Sequence, residues 1–470
     1  MVCSSAIGAA QAPADTGRQV FVGRCAGCHG SDGNGGELGP GMTTRLPSRT
    51  DQELTTLVAQ GLPAAGMPPF SSMSDSETAD LIRYLRTLKP PNGSGPLRTS
   101  VMLAGGRALA GLVLNQSTDD LQLLGDDRKI HLLRKSGRQY RVVTSQADWP
   151  SYNGETNGSR YSALGQINKS TVGRLTPRWI FSLPNTSRLQ VTPVVVEGVM
   201  YVTSANECYA LDAGSGREVW HYQRARTKGL VGNAAGGVNR GVGVAGDRVF
   251  MVTDHAHLIA LDRSTGALLW ETEMADWHQN YNATGAPLWA TGLTPEGRPI
   301  KAPNMEPSLQ GTRVCPSLDG ASNWYSASLS ATTGLYYVQT NDKCGIFTRT
   351  PMEWEAGKGF MGGSFRQAPD EPARRILRAI DIHTGKAVWE LPQTGAVNSW
   401  GGTLSTAGGV VIFGEDSGAL MAADAANGKP LWSFQTSQLW KASPMTYMFD
   451  HKQYVAVAAG SNIIAFGLSE

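Results

Sequence analysis

Ala210-Leu211-Asp212-Ala213-Gly214-Ser215-Gly216-Arg217-Glu218-Val219-Trp220 is the stretch on which the reading of this chain turns, because its pattern recurs. It returns as Ala260-Leu261-Asp262-Arg263-Ser264-Thr265-Gly266-Ala267-Leu268-Leu269-Trp270 and as Ala379-Ile380-Asp381-Ile382-His383-Thr384-Gly385-Lys386-Ala387-Val388-Trp389. A fourth copy is Ala423-Asp424-Ala425-Ala426-Asn427-Gly428-Lys429-Pro430-Leu431-Trp432. The aspartate opens a turn, the glycine supplies positive φ, and the closing tryptophan docks between neighbouring sheets. The aspartates lie 50, 119 and 43 residues apart, and steps of 40–50 fit one four-stranded blade of a β-propeller. All four tryptophans are therefore read as core. At about 45 residues per blade, 147–470 admits about seven minimal blades. The irregular stretches 277–323 and 348–373 lower the expectation to about six.

Composition agrees with a turn-rich, mostly β protein. Glycine makes up 56 of 470 residues without a G-X-Y period, well above the usual share of about 7%. Charged residues are 17% with a net charge of +2, which argues against a nucleic-acid binder, an acidic tail or a mostly disordered chain. The longest mainly apolar stretch, Val101 to Leu114, is broken by Gly105, Gly106 and Arg107, so no transmembrane segment is expected. Residues 1–14 read as the remains of a secretory leader, truncated or misassigned, or as a disordered start. Ala10-Gln11-Ala12 resembles the end of a leader, and a lipidated Cys3 is the weaker reading.

The second informative stretch is Cys25-Ala26-Gly27-Cys28-His29. Two thiols at this spacing attach to the vinyl groups of one haem, and the next histidine faces the iron. A zinc site would want a second ligand pair nearby, and the next cysteine is Cys208. A redox CxxC would want a βαβ context, which is missing. Residues 15–89 thus read as a small all-α haem c domain. One helix is capped by Asp15 and runs through Gly17, Val20 and Phe21. Another is capped by Ser74 or Asp75 and carries Leu81, Ile82, Leu85 and Leu88. Met67, held in Gly66-Met67-Pro68-Pro69-Phe70, is the expected sixth iron ligand; Met42 and Met73 are its competitors. The region resembles class I cytochrome c, which implies His29 and Met67 as the axial pair.

Residues 90–97 read as a linker by composition. Residues 98–145 read as a small β-barrel-like module of five short strands, around 100–103, 111–114, 121–124, 130–133 and 140–143. His131 falls on one of these strands and is assigned no ligand role.

Trp149-Pro150-Ser151-Tyr152-Asn153-Gly154 through Ser159-Arg160-Tyr161-Ser162, followed by the repeats, resembles the quinoprotein alcohol dehydrogenases. Members joined to a cytochrome c are called quinohaemoproteins. The resemblance implies an exported, periplasmic enzyme whose propeller, eight-bladed in the family, holds PQQ and a Ca²⁺ or lanthanide ion. A catalytic Asp acts on an alcohol or aldehyde substrate, and electrons pass through haem c to an external acceptor such as a cytochrome or membrane oxidase. It implies as PQQ-binding residues Gln190, Arg240, Thr284, Asn323, Trp324, Asn398 and Trp400. An arginine suits this triacid, because a guanidinium grips a carboxylate with two bonds. Where many members carry adjacent cysteines, this chain has Ala234-Ala235.

The resemblance breaks around 288–292. There the chain passes from Pro287-Leu288 through Trp289-Ala290-Thr291-Gly292-Leu293 into Pro295-Glu296-Gly297-Arg298-Pro299, a stretch that belongs much later in the family. The skipped part would carry the metal ligands, the catalytic Asp and a Lys or Arg near the quinone oxygens. No ion ligand and no catalytic base is identifiable. Asp276-Trp277 is read as a blade connection, and Glu306 and Asp319 lack a matching context. A disulfide between Cys315 and Cys344, which flank an expected strand pair, is open beside buried thiols. Two functions follow: a quinohaemoprotein-type oxidoreductase, or an electron-transfer cytochrome c carrying a silent, shortened propeller as a binding module or remnant.

Overall fold

The computed structural model describes residues 13–35, 39, 41–43, 46, 49–61, 67–88, 97–184, 186, 188–228, 230, 236–274, 290–293, 299–301, 306–353, 355, 362–369 and 371–469. All but the last two residues of the expected leader, most of the linker, Thr284, Asp276-Trp277 and Leu288 lie outside these residues. The chain divides into two compact units. The first comprises 1–143 with 177–182 and 211–219, the second the remainder.

In the first unit, helix α1 (Pro13–Arg24) is followed by the short α2 (Ala26–His29), then α3 (Asp51–Gln60) and α4 (Asp75–Leu85). Asp15 is not a cap. The helix starts two residues earlier at Pro13, whose fixed φ and missing N–H suit a first turn. Ser74 caps α4 through a reciprocal box with Glu77, and Thr50 with Glu53 does the same for α3, a helix not anticipated from sequence. Helices α1 and α4 touch at Gly17, where a β-carbon would lie 2.1 Å from the Asp80 carbonyl oxygen. Phe21 and Tyr84 meet in a tilted ring contact with centroids 5.4 Å apart, and Phe21, Leu54, Leu81 and Leu85 are buried in one cluster.

Five antiparallel strands follow in sequential order: β1 (Arg98–Met102), β2 (Ala108–Gln116), β3 (Asp120–Gly125), β4 (Ile130–Ser136) and β5 (Gln139–Val143). All five match the strands expected. A parallel bridge of Leu103 to Tyr140 brings the two edges together, around a core of Leu103, Leu121, Leu123 and Leu133. His131 sits on β4 with Nε2 3.0 Å from the Asp127 carboxylate.

Blade-type antiparallel sheets follow, made of second-unit residues except for 211–212 and 218–219 of blade one. Blade one is formed by Val194–Val196, Val199–Ser204, Glu207–Asp212 and Glu218–Gln223; blade two by Gly243–Ala245, Arg248–Val252, His257–Asp262 and Leu268–Glu273. Blade three takes Ser328–Ser330, Leu335–Asp342, Arg374–Asp381 and Ala387–Pro392; blade four takes Thr403–Thr406, Val410–Gly414, Ala419–Asp424 and Pro430–Gln435. In blade five, Ser145–Ala147 pairs with Met445–Phe449, which continues into Lys452–Ala459 and Asn462–Leu468. An early segment thus completes a sheet made at the other end of the propeller region. Among the described residues there are five such sheets rather than six. The irregular stretches form a two-stranded sheet (Ala290–Leu293, Pro299–Lys301) and a three-stranded one (Thr312–Val314, Gly345–Arg349, Gly363–Gln367).

The repeats do in three dimensions what their residue types require, except at Trp270 and at Trp432, which is only half-buried, against Phe434 and Phe466. Asp212, Asp262, Asp381 and Asp424 each accept backbone N–H bonds from the turn they open. The indole N–H of Trp179 donates to Ala213, that of Trp220 to Arg263 and that of Trp389 to Ala425. A β-carbon on Gly216, Gly266 or Gly428 would lie within 2.6 Å of the corresponding indole, so only glycine admits the ring. These three tryptophans are 0%, 7% and 9% exposed. Trp270 breaks the pattern: it is 36% exposed and not core. Gly385 has nothing within 4 Å of where a β-carbon would stand. Blade two therefore carries a ring that no described glycine turn receives, and blade three a glycine turn that receives no described ring.

This asymmetry predicts unequal losses. Trp220→Ala is expected to cost about 3–5 kcal/mol in urea unfolding, through lost packing and the orphaned Arg263 carbonyl. Trp270→Ala should cost less than half of that.

Candidate functional site

The haem motif sits where α1 gives way to α2. The Cys28 and His29 N–H groups both donate to the Cys25 carbonyl, at 3.1 and 2.9 Å, so both thiols and the imidazole leave one tight turn. Gly39 runs close over the imidazole, where a β-carbon would lie 3.1 Å from His29 Nδ1. Burial, reinforced by the neighbouring Cys28, pushes the Cys25 thiol up to about 11. Redox CxxC sites use a lowered thiol instead. Met67 is partly buried, and its loop is tied down by a Phe70 N–H bond to the Val58 carbonyl at 3.1 Å. Met42 and Met73 both pack against the helical core, and Met67 does not.

In the second unit a cavity of about 590 Å³ is lined by Arg188, Asp319, Asn398, Trp400 and Lys441 among others. Trp324 and Trp400 stand 6.0 Å apart beside it. The Arg240 guanidinium lies 4.1 Å from the Trp324 ring centroid and Lys441 Nζ 5.1 Å from that of Trp400. Expected residues Arg240, Trp324, Asn398 and Trp400 therefore form one contiguous group.

Local structure explains the placement. Asn239 Oδ1 accepts from Thr203 Oγ1 and from the Gly241 N–H, shaping the turn that presents Arg240. The Asp416 carboxylate accepts the backbone N–H groups of Val397, Asn398 and Ser399, setting the loop before Trp400. Buried Arg375 and Gln339 both donate to the Gly401 carbonyl. Gly401 and Gly402 pass so close to Trp440 and Ser443 that neither position has room for a β-carbon. Gln190 follows Leu189, whose N–H donates to Gly460 of the cavity wall at 2.9 Å. Gln190 Oε1 and Thr192 Oγ1 are buried without partners. Asn323 is spent locally, its amide donating to the Asp319 carbonyl and accepting the Trp324 N–H.

The three charged residues lining the cavity were not singled out as binding groups: Arg188, Lys441 and Asp319. None belongs to a repeat, so no periodic signal marks them. Burial, with the charges of Arg188 and Arg375, lowers the Lys441 ammonium to about 8. Asp319 is ion-paired with Lys343. Cys315 and Cys344 form a disulfide beside the strand pair Thr312–Val314 and Gly345–Arg349.

The family described as "Glucose/ethanol/alcohol dehydrogenase, beta-propeller domain" matches residues 149–272 and 390–455. The cytochrome family "Cytochrome C oxidase, cbb3-type, subunit III" matches 12–85, and "Outer membrane protein assembly factor BamB" matches 229–335. The chain joins a PQQ-type propeller to a cytochrome c domain and is homologous to the quinohaemoprotein alcohol dehydrogenases. Quinohemoprotein alcohol dehydrogenase ADH IIB of Pseudomonas putida is 23% identical over 68% of this chain and 74% of its own length. Quinoprotein alcohol dehydrogenase PedH of the same species is 22% identical, covering 64% of this chain and 84% of that protein. That alignment runs over 504 residues, more than this whole chain, so a long stretch of PedH has no counterpart here. The crystal structure of quinohemoprotein alcohol dehydrogenase from Comamonas testosteroni superposes with a TM-score of 0.58 at 20% identity, over 68% of this chain and 80% of that one. The fold is thus that of the propeller dehydrogenases. The propeller-family match stops two residues past Trp270, the ring that is not docked, and resumes at the residue after Trp389.

Proposed function

We propose that this chain is a periplasmic quinohaemoprotein-type oxidoreductase acting on an alcohol or aldehyde, with Cys25 and Cys28 attaching haem c and His29 and Met67 ligating its iron. Arg188, Arg240 and Lys441 would hold the carboxylates of PQQ, with the planar ring against Trp324 and Trp400. When bound, PQQ would supply two-electron oxidation and haem c a one-electron relay to an external cytochrome or membrane oxidase. The observation that carries this reading is the cavity, lined by Arg188, Lys441, Asn398 and Trp400, with the family-pattern pair Arg240 and Trp324 packed beside it against Trp400. The partnerless Gln190 Oε1 and Thr192 Oγ1 are further polar groups for a ligand to satisfy. Haem attachment and the Cys315–Cys344 disulfide both support an oxidising compartment. No described helix is long and apolar enough to cross a membrane.

Among the described residues no cage is found for the Ca²⁺ or lanthanide ion of the family chemistry. Among the described residues the groups of three potential ligands are His255, His257 and Glu271, and Glu371 beside the two disulfide-bonded cysteines. Neither is the all-oxygen cage a hard cation requires. No step is assigned to such an ion, and no residue is named as base. This, with the unmatched Trp270 and Gly385, favours the second reading, an electron-transfer cytochrome c with a silent propeller.

The test uses the haem-loaded chain with PQQ, Ca²⁺ or a lanthanide, and a short alcohol or aldehyde. Quinone binding followed by haem reduction supports the first reading. Binding without reduction supports the second, and absence of binding removes the quinone site. Affinity for PQQ should fall as pH rises through about 8, where Lys441 loses its proton, and Lys441→Gln should abolish that dependence.

A further inference from the structure

Blade two gathers three ligand-type side chains that the proposed oxidoreductase chemistry does not use. His255, His257 and Glu271 are 10%, 23% and 24% exposed at their side chains. His257 Nδ1 lies 2.5 Å and His255 Nε2 3.5 Å from the same Glu271 oxygen, and the two imidazole centroids are 4.0 Å apart. All three ligand atoms fall within 4.8 Å of one another. Around a tetrahedral zinc ion with bonds near 2.0–2.1 Å, ligand atoms stand about 3.3 Å apart, so small side-chain shifts would accommodate the ion.

The backbone brings these groups together from two directions. Ala256, at φ +59°, turns the chain between the two histidines. Glu271 comes from the antiparallel neighbour, opposite Ile259. His255 is also oriented from behind. Thr253 Oγ1 is 3.0 Å and Asp254 Oδ1 3.4 Å from its Nδ1, leaving Nε2 on the Glu271 side. A carboxylate behind the far nitrogen of a ligating imidazole is the usual support in metal sites. Asp254 is in turn held by Arg226, Asn206 and Thr227. The cation now on Glu271 is Arg224, whose Nη1 is 2.6 Å from Oε1. A carboxylate has room for a guanidinium and a metal ion at once.

We propose that His255 Nε2, His257 Nδ1 and Glu271 bind one divalent transition-metal ion of the zinc class, with water completing the shell. Two nitrogen ligands favour such an ion over Ca²⁺ or a lanthanide. The ion would tie the turn 253–257 to the strand Leu268–Glu273.

The test is calorimetric titration of the haem-loaded, chelator-stripped chain with zinc chloride, haem occupying His29. One equivalent should bind, undisturbed by excess Ca²⁺. His257→Ala and Glu271→Gln should each weaken binding at least about tenfold, and Asp254→Asn should weaken it by about the same factor. Arg224→Gln should tighten it, a gain that misfolding cannot imitate. No zinc uptake by the unaltered protein overturns the site, as does uptake unchanged when His255 and His257 are both replaced by alanine.

Discussion

Met67→Ala is expected to remove the sixth ligand proposed for the haem iron and lower its reduction potential, whereas Met42→Ala and Met73→Ala leave both unchanged. The three methionines differ in what surrounds them. Met42 and Met73 pack against the cluster of Phe21, Leu54 and Leu81, so truncating either should cost about 1–2 kcal/mol of partly buried apolar contact. Met67 lies outside that cluster, and its loop is fixed through its backbone. Gly61, at φ +66°, lets the chain approach so closely that a β-carbon there would lie 2.6 Å from the carbonyl oxygens of Met67 and Pro68. The thioether would then be the proposed axial partner of His29, and a thioether paired with histidine raises the potential of a haem. Absorption spectra of the iron's ligand state and a redox titration decide it. A potential that moves with Met42 or Met73 instead would assign the iron to that sulfur.

Asp212→Ala should be the most damaging single change in the first unit, at about 3–5 kcal/mol. The Asp212 carboxylate is fully buried and takes two bonds from Arg134 of β4, at 2.7 and 2.8 Å, one from Gln122 and one from the Gly214 N–H. Burial works to raise its pKa, but the charge and hydrogen bonds of Arg134, with Gln122 and Gly214, outweigh it and leave the carboxyl below its usual range. Its contribution is thus present above the ordinary carboxylate pKa and lost as pH falls through the lowered one. Removing only the acid takes from the Arg134 cation its fully buried carboxylate partner. The double variant Asp212→Ala, Arg134→Met should therefore be less damaged than Asp212→Ala alone. Denaturant unfolding at neutral pH measures both; a single variant within 1 kcal/mol of the parent would refute the assignment.

Asp212 also shows where sequence reading stops. As the first polar residue of a recurring Asp…Gly…Trp pattern it was legible as a turn opener, because a short carboxylate bonding its own backbone is local chemistry. That it anchors Arg134, 78 residues away, was not, since nothing periodic connects the two. The cavity divides in the same way. Arg240, Trp324, Asn398 and Trp400 were found through motif resemblance, while Arg188, Lys441 and Asp319 reach it from segments outside the repeats.

From its letters alone, this chain declares a haem attachment site, five strands of a small barrel-like sheet and a set of tryptophan-docked blades, because each is written in short-range spacing. Which tryptophans find a neighbour was decided in three dimensions. Trp220 and Trp270 close the same pattern, yet one ring lies on the glycine turn of the next sheet and the other remains partly in solvent. A ring is buried only if the surface it fits is placed against it, and that depends on residues far away along the chain.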